Sequence, residues 1–376
     1  MSKFQFKVIY QSKKSAARVG KIYTPHGEID TPNFVAVGTN GTLKALDSEG
    51  ATSLGLQLMF CNTYHLLLQP GTQVIQKAGG LHKFINREGP IITDSGGFQV
   101  FSLAYGSVHE EIKSRGKKKQ RGSVLKITEE GVQFRSYRDG NKILLTPESS
   151  IQAQKELGAD IIIPFDELPP YHIPEEDLKK SLERTHRWER RSLEAHCKNP
   201  QGQAMYGVIH GGVNQELRSL SCKILTQWDF DGFAIGGSVG KCMQELLEIT
   251  AFTRKQLPDD KPNHLLGIGD LPSLEALIPL GIDTFDSSYP TKAARHGQLL
   301  TRSGGIKISS AIHRERFHPI ENECSCFTCK KYSLAYLHHL FKANELTAYT
   351  LATIHNLHFM VELMRNYRLA ILEDKI

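Results

Sequence analysis

The chain has 376 residues, 40% hydrophobic and 23% charged, with 32 Gly and 16 Pro. These proportions exclude fibrous, low-complexity and disordered classes and leave room for two ordinary domains or one large α/β barrel. Forty-six Lys plus Arg against 40 Asp plus Glu leave +6, which permits a polyanionic partner without requiring one.

The N-terminal MSKFQFKVIY has no apolar core followed by a cleavage site, so export is not encoded. The longest apolar stretch, Leu56 to Leu68, is broken by Asn62 and His65 and falls short of the ~18 to 20 apolar residues that span a bilayer. A cytoplasmic protein without a membrane span is expected. Short apolar, β-branched runs then recur, each ending in Gly or Asp: GPIITDSGGF (89–98), ADIIIPFDE (159–167), AMYGVIHGG (204–212), DFDGFAIGG (229–237), HLLGIGD (264–270) and GIDTFDSSYP (281–290). Such runs read as buried strands. Helices fit between them. Thr146 before Pro147 reads as an N-cap with proline in the first turn, and Gly158 as the stop. Leu178, Leu182, Trp188 and Leu193 give residues 174–196 an amphipathic helical face.

Strands alternating with helices imply a parallel sheet covered by helices, and six clear units plus less clear N-terminal ones favour a closed (β/α)₈ barrel. Chemistry in such barrels sits at the carboxyl ends of the strands, where these Asp, His and Gly residues fall. We expect a barrel domain over 1–308. Its one irregular segment, GSVHEEIKSRGKKKQRGSVL (106–125), is a basic insertion without periodicity, expected as a mobile loop. Lys113, Arg115, Lys117, Lys118, Lys119 and Arg121 make it either a solvated charge run or an arm that contacts phosphates.

Seven cysteines are an odd count for a disulfide framework in a chain that reads as cytosolic. Cys61, Cys197, Cys222 and Cys242 are dispersed and read as small core residues. Cys324-Ser-Cys326-Phe-Thr-Cys329, followed by the histidine-bearing LATIHNLHFM with His355, offers three thiolates and an imidazole suited to tetrahedral Zn²⁺. With four protein ligands the metal would be structural. On spacing alone His338, His339 and His358 compete with His355. A zinc-binding subdomain with closing helices is expected over 309–376.

Asp94 in TDSGGFQ, Asp166 in PFDE and Asp286 in TFDSSYPTKAARHG all end strands. A lone strand-terminal Asp is ordinarily a cap for the next helix. Two such carboxylates facing one mouth suit acid, base or nucleophile chemistry.

Together, DSGGFQ, NTYHL, PFDE, FDGFAIGG, HLLGIG, the FD-x-x-x-PT segment and the Cys-x-Cys-x-x-Cys plus His site resemble the bacterial tRNA-guanine transglycosylase family, from about residue 5 to the end. The resemblance implies a (β/α)₈ barrel with a zinc subdomain, a homodimer, and exchange of guanine at the tRNA wobble position for a 7-deazaguanine. It makes Asp286 the nucleophile forming a ribosyl ester and Asp94 the general acid/base. Asp166 would read the guanine N1–H and amine. Gly237 would donate its amide to the carbonyl oxygen, while Ser95, Gly96, Gly97 and Phe98 complete the pocket with Phe98 stacking on the base. Gly267, Ile268, Gly269, Asp270, Leu271, Pro272 and Ser273, with Thr291, Lys292, Ala293, Ala294 and Arg295, would contact tRNA, the target nucleotide being flipped out.

Three features depart from the family pattern. His210 stands for the usual glutamine that donates to the guanine carbonyl. Gly237-Ser238-Val239-Gly240 is one residue shorter than GGLAVGE, and Leu168 stands where relatives often have Cys. The basic insertion is the third departure. Because the shortened loop and Leu168 lie where the 7-substituent would sit, queuine competes with 7-aminomethyl-7-deazaguanine as the incoming base. The rival functions are a retaining barrel glycosidase, which leaves Asp166 idle, and a non-catalytic tRNA-binding subunit, which leaves Asp94 and Asp286 idle.

Overall fold

Eight short strands pair in parallel, each with the next in the chain and the last with the first, closing a barrel. They are Asn33–Val37 (β1), Met59–Cys61 (β2), Ile91–Thr93 (β3), Ile161–Ile162 (β4), Ala204–Ile209 (β5), Gly232–Ile235 (β6), Asn263–Leu265 (β7) and Thr284–Ser287 (β8). The computed structural model describes residues 4–105 and 124–376, without the side chains of 102–105. Each of the six runs read from the sequence supplies one strand, β3 to β8. The first two strands, NFVAV and MFC, are the less clear N-terminal units of the sequence pattern.

Two packing layers follow from the strands' burial on both faces. Inside the barrel lie Val35, Phe60, Ile92, Ile161, Tyr206, Val208 and Ala234. Between strands and helices lie Phe34, Met59, Ile91, Ile162, Met205, Ile235 and Phe285, joined by Leu357, Met360 and Met364 of the long final helix Leu346–Leu372.

The amino ends of the strands are closed by a sheet that the sequence reading did not anticipate. Gln5–Gln11, Arg18–Thr24 and Gly27–Thr31 form an antiparallel meander. Ile22 and Ile29 of this meander are fully buried against the barrel interior. Arg18 anchors it through a bidentate, wholly buried pair with Asp283 just before β8 (2.6 and 2.9 Å). Closing this end leaves the carboxyl ends as the open mouth.

Two helices hold the mouth in place. Pro147–Leu157 begins at a Thr146 capping box and stops at Gly158 with φ +72°, as the sequence predicts. Its Ser150 Oγ donates to the Ser95 carbonyl (2.7 Å), and its Gln154 bonds Thr93, Ile163 N and Ile163 O. Glu175–Cys197 buries Trp188 and stacks it on Phe165 (4.9 Å, 25°). The indole N–H donates to the Glu129 carbonyl (2.9 Å), so the aromatic pair fixes the residue just before Asp166.

Several expectations need correction. Cys61 and Cys222 are buried, but Cys197 and Cys242 are exposed. They end one surface helix and cap the start of another, positions where side chains leave the core. Val124 and Leu125 are not loop: they open the strand Val124–Ile127, which pairs with Val132–Arg135 and then Lys142–Leu145. The rest of the expected mobile insertion lies outside the described residues.

Candidate active site

Asp94 follows β3 at the mouth and is 8% exposed. Its Oδ2 accepts from Asn62 Nδ2 (2.6 Å) and Gln99 Nε2 (2.7 Å), and its Oδ1 from the Thr63 amide (2.8 Å). Burial nevertheless dominates and lifts the carboxyl to about 6, against these donors. A carboxyl poised there exchanges protons readily near neutral pH.

Asp166, four residues past β4, lies beside it. Ser95 Oγ donates to Asp166 Oδ1 (3.0 Å), and His210 Nε2 lies 2.8 Å from Oδ2. Gly97 makes this approach possible: a Cβ there would sit 2.7 Å from the Asp166 carbonyl oxygen. Gly237, with φ +72°, is equally constrained, since a Cβ would lie 2.9 Å from His210 Nδ1. Behind both loops sits Arg218, wholly buried, donating to the carbonyls of Ile209, Gly212, Gly236 and Ser238 (2.7 to 3.3 Å). It staples the ends of β5 and β6, and desolvation pulls its guanidinium down to about 10. Phe98 is half-exposed at the mouth, free to stack on a flat ligand.

Asp286 is the third residue of β8 and only 7% exposed. Its Oδ1 accepts from the Gly267 amide (2.7 Å) and lies 3.1 Å from His264 Nε2. Among the described residues no donor reaches Oδ2. Asp94, Asp166, His210, Gly237 and Asp286 thus converge from five strand ends on one mouth. The segments expected to meet RNA divide by exposure: Gly267, Pro272, Lys292 and Arg295 are exposed, whereas Gly269, Ser273, Thr291, Ala293 and Ala294 are buried. Asp270 caps the helix Leu271–Leu277 through Ser273 N (3.2 Å).

The Cys₃His group comes together near the C-terminus. His355 Nδ1 lies 3.8, 3.6 and 3.4 Å from the sulfurs of Cys324, Cys326 and Cys329. A tetrahedral ion with S and N ligands at about 2.3 and 2.05 Å has S···N edges of about 3.6 Å, so the four donors fit such an ion. His355 Nε2 meets the Leu300 carbonyl at 2.7 Å, which turns Nδ1 toward the thiols. Two of the competing histidines are engaged elsewhere, His338 with the Ile308 carbonyl and His358 with Ser325, and His339 is not among the grouped ligands. Cys326 and Cys329 pack with Leu299, Ile308, Leu334 and Leu351, so the cluster ties together the segments around it. Cys329→Ser is expected to reduce bound metal below one ion per chain by elemental analysis. It should also lower the thermal midpoint by roughly 5 °C or more; unchanged metal content and midpoint would remove the structural-metal assignment.

The family model described as queuine tRNA-ribosyltransferase matches residues 12–376. The queuine tRNA-ribosyltransferase of Protochlamydia amoebophila is 68% identical over 376 residues, covering 100% of this chain and 97% of its own length. Those of Chlamydia caviae and Chlamydia trachomatis serovar L2 are 58% and 54% identical over 373 residues, each covering 99% of both chains. The chain belongs to the queuine tRNA-ribosyltransferase family.

Within this family frame, the structure gives contacts to several residues that the sequence reading did not single out as site residues. Asn62, Thr63 and Gln99 hold Asp94, Arg218 staples two loops, and His264 touches Asp286. The mouth also carries exposed Tyr137, whose OH lies 3.2 Å from His65 Nδ1 and whose ring has the Arg138 guanidinium 5.5 Å away. Burial first, then the charges of Lys44 and Arg138, holds His65 below its ordinary range.

Beside His210 and Gly237 opens a cavity of about 220 Å³. Glu167, Tyr171, Glu175, His210, Gly237 and Ser238 are among its walls, and Asp94 and Asp286 are not. Ser238 Oγ is buried there without a hydrogen-bond partner among the described residues. Leu168, by contrast, packs with Tyr64, Phe165 and Trp188 behind the wall.

Proposed function

We propose that this chain exchanges the guanine at the tRNA wobble position for a 7-deazaguanine through a covalent ribosyl ester on Asp286. The enzyme class of the family, a pentosyltransferase acting as a tRNA-guanine transglycosylase, is the starting point. The observation that carries the mechanism is the contrast between two carboxyl groups at one mouth. Among the described residues Asp286 has donors on one oxygen and none on the other, as a nucleophile needs. Asp94, lifted to about 6, suits proton delivery to departing guanine and removal of a proton from the incoming base. Asp166 accepts from the guanine N1–H and amine, and Gly237 donates to its carbonyl oxygen. A glycosidase would leave Asp166 without a task, and the non-catalytic reading would leave both other carboxylates without one.

On the incoming base, the cavity supports queuine over 7-aminomethyl-7-deazaguanine. The Ser238 hydroxyl, without a partner among the described residues, suits the hydroxylated ring that queuine carries and 7-aminomethyl-7-deazaguanine lacks, while Glu175 suits the substituent amine of either base. For tRNA, the exposed Lys292 and Arg295 on one side and Tyr137 with Arg138 on the other supply charge and a stacking face. Zn²⁺ held by Cys324, Cys326, Cys329 and His355 would brace the C-terminal segment and take no part in the exchange. No helix of the described residues is long and apolar enough to cross a membrane, and a cytoplasmic homodimer is the proposed working form. Exposed Phe317, Phe327 and Tyr336 support a further protein contact on the zinc side.

The test is base exchange on tRNA labelled at guanine-34, with each candidate base supplied separately. Guanine release with queuine incorporation is the expected result; release without incorporation of any 7-deazaguanine would sink the proposal. Asp166→Asn should lower kcat/KM for the base by on the order of 10⁴-fold, because an amide opposes the donor pair it must accept.

A further inference from the structure

We propose that His264 is a positioning residue for Asp286, holding one carboxylate oxygen as bystander so that the other, Oδ2, attacks the ribose. This rests on the reading of Asp286 as nucleophile. His264 is the middle residue of β7, wholly buried, and its register partner on β8 is Thr284. Two residues further along β8, on the same face, stands Asp286. One imidazole therefore reaches both: Nδ1 lies 2.8 Å from Thr284 Oγ1 and Nε2 3.1 Å from Asp286 Oδ1. The ring lies close to parallel with Phe60 (6.1 Å between centroids, 21°).

Donor and acceptor chemistry fixes the tautomer. An ionised carboxylate only accepts, so Nε2 facing it carries the hydrogen. In the neutral ring Nδ1 is then bare and must receive the Thr284 hydroxyl hydrogen. Thr284 Oγ1 also lies 3.3 Å from the Asn263 carbonyl, a longer alternative. The relay Thr284 to His264 to Asp286 thus ends on Oδ1, which the Gly267 amide also donates to at 2.7 Å. Two donors on one oxygen pin the plane of the carboxylate and leave Oδ2 facing the mouth.

The two chemical steps use this division. In the first, an Oδ2 lone pair forms the bond to C1′ as the C1′–N9 bond breaks, its electron pair passing to guanine, which takes a proton from Asp94. In the second, N9 of the incoming base attacks C1′ while losing its proton to Asp94. The C1′–Oδ2 bond then breaks and its pair returns to the carboxylate. Oδ1 is the ester carbonyl oxygen between the steps and recovers negative charge during the second. Donors on Oδ1 therefore favour breakdown of the ester, while the pinned plane serves both steps.

The experiment is single-turnover formation and discharge of the tRNA adduct, followed on denaturing gels. His264→Phe keeps a ring against Phe60 and removes the Nε2 donor to Oδ1 together with the Nδ1 acceptor of Thr284, leaving the Gly267 amide in place. It is expected to slow discharge and lower kcat by about 10- to 100-fold, with KM for the base changed less than threefold. His264→Gln, whose amide can donate to Oδ1, should recover most of the rate. Thr284→Val, close in shape, frees the tautomer and should slow discharge about 3- to 10-fold; it serves if His264→Phe does not fold. Discharge at the wild-type rate in whichever variant folds would overturn the proposal. Asp286→Asn, run alongside, separates the two levels. If it still forms an adduct, the nucleophile reading fails. If it forms none while the His264 or Thr284 variant discharges normally, only the positioning role fails.

Discussion

Replacing Asp286 with Asn is expected to lower kcat by roughly 10³- to 10⁶-fold and to leave no RNA attached to the denatured protein. The substitution should cost little stability. An amide oxygen can occupy the Oδ1 position, where the Gly267 amide and His264 Nε2 already point, and the NH₂ group then replaces the oxygen that faces the mouth. That group has no lone pair to offer the anomeric carbon, so binding survives while bond formation stops. Enzyme incubated with labelled tRNA and no incoming base, then denatured and resolved by size, reads the outcome directly. An adduct of wild-type abundance would move the nucleophile to another carboxylate. Undiminished base exchange would make the chain a binding module that works with a separate catalyst.

How much of this site the sequence makes legible depends on how locally each residue's role is encoded. Asp94, Asp166 and Asp286 are visible because an apolar strand run that ends in a carboxylate is a short, contiguous signal. The cysteines are visible because three thiols in six residues have few other uses. His264 carries no such signal: within HLLGIGD it reads as one more strand residue. Its meaning comes from the β7–β8 register, which places it across from Thr284. Arg218 is opaque for the same reason, since an arginine on an amphipathic helix reads as surface charge until its four carbonyl partners are in place. The N-terminal meander escaped because Ile22 and Ile29 look like isolated apolar residues until the barrel supplies the surface they cover. Contacts between residues far apart in the chain are the common element in what was missed. The choice of His355 over its neighbours shows the converse, because the Leu300 carbonyl decides which ring faces the thiols.

The second large effect expected is a pair of opposed pH profiles from a single carboxyl. Asp94 is lifted to about 6 because its burial outweighs the donors from Asn62, Thr63 and Gln99. A folded-state value above the unfolded one means that the fold favours the protonated form. Between about pH 4 and 6 the folded chain keeps a proton the unfolded chain has released, so stability declines with rising pH, by on the order of 3 kcal/mol in all. That cost is retained in a position where the proton is useful. The half-reaction that expels guanine needs Asp94 protonated, so kcat/KM for tRNA should fall up to tenfold per unit above about pH 6. The half-reaction that takes up the new base needs Asp94 ionised, so kcat/KM for the base should rise through the same region and level off. Steady-state profiles measured with each substrate varied in turn would show the mirror relation, and Asp94→Ala should flatten both while lowering them by about 10²- to 10⁴-fold. Two profiles of the same sign would mean that separate groups handle the outgoing and incoming protons. Glu167, also held above its ordinary range by burial and placed against Arg184, would then be the next carboxyl to replace.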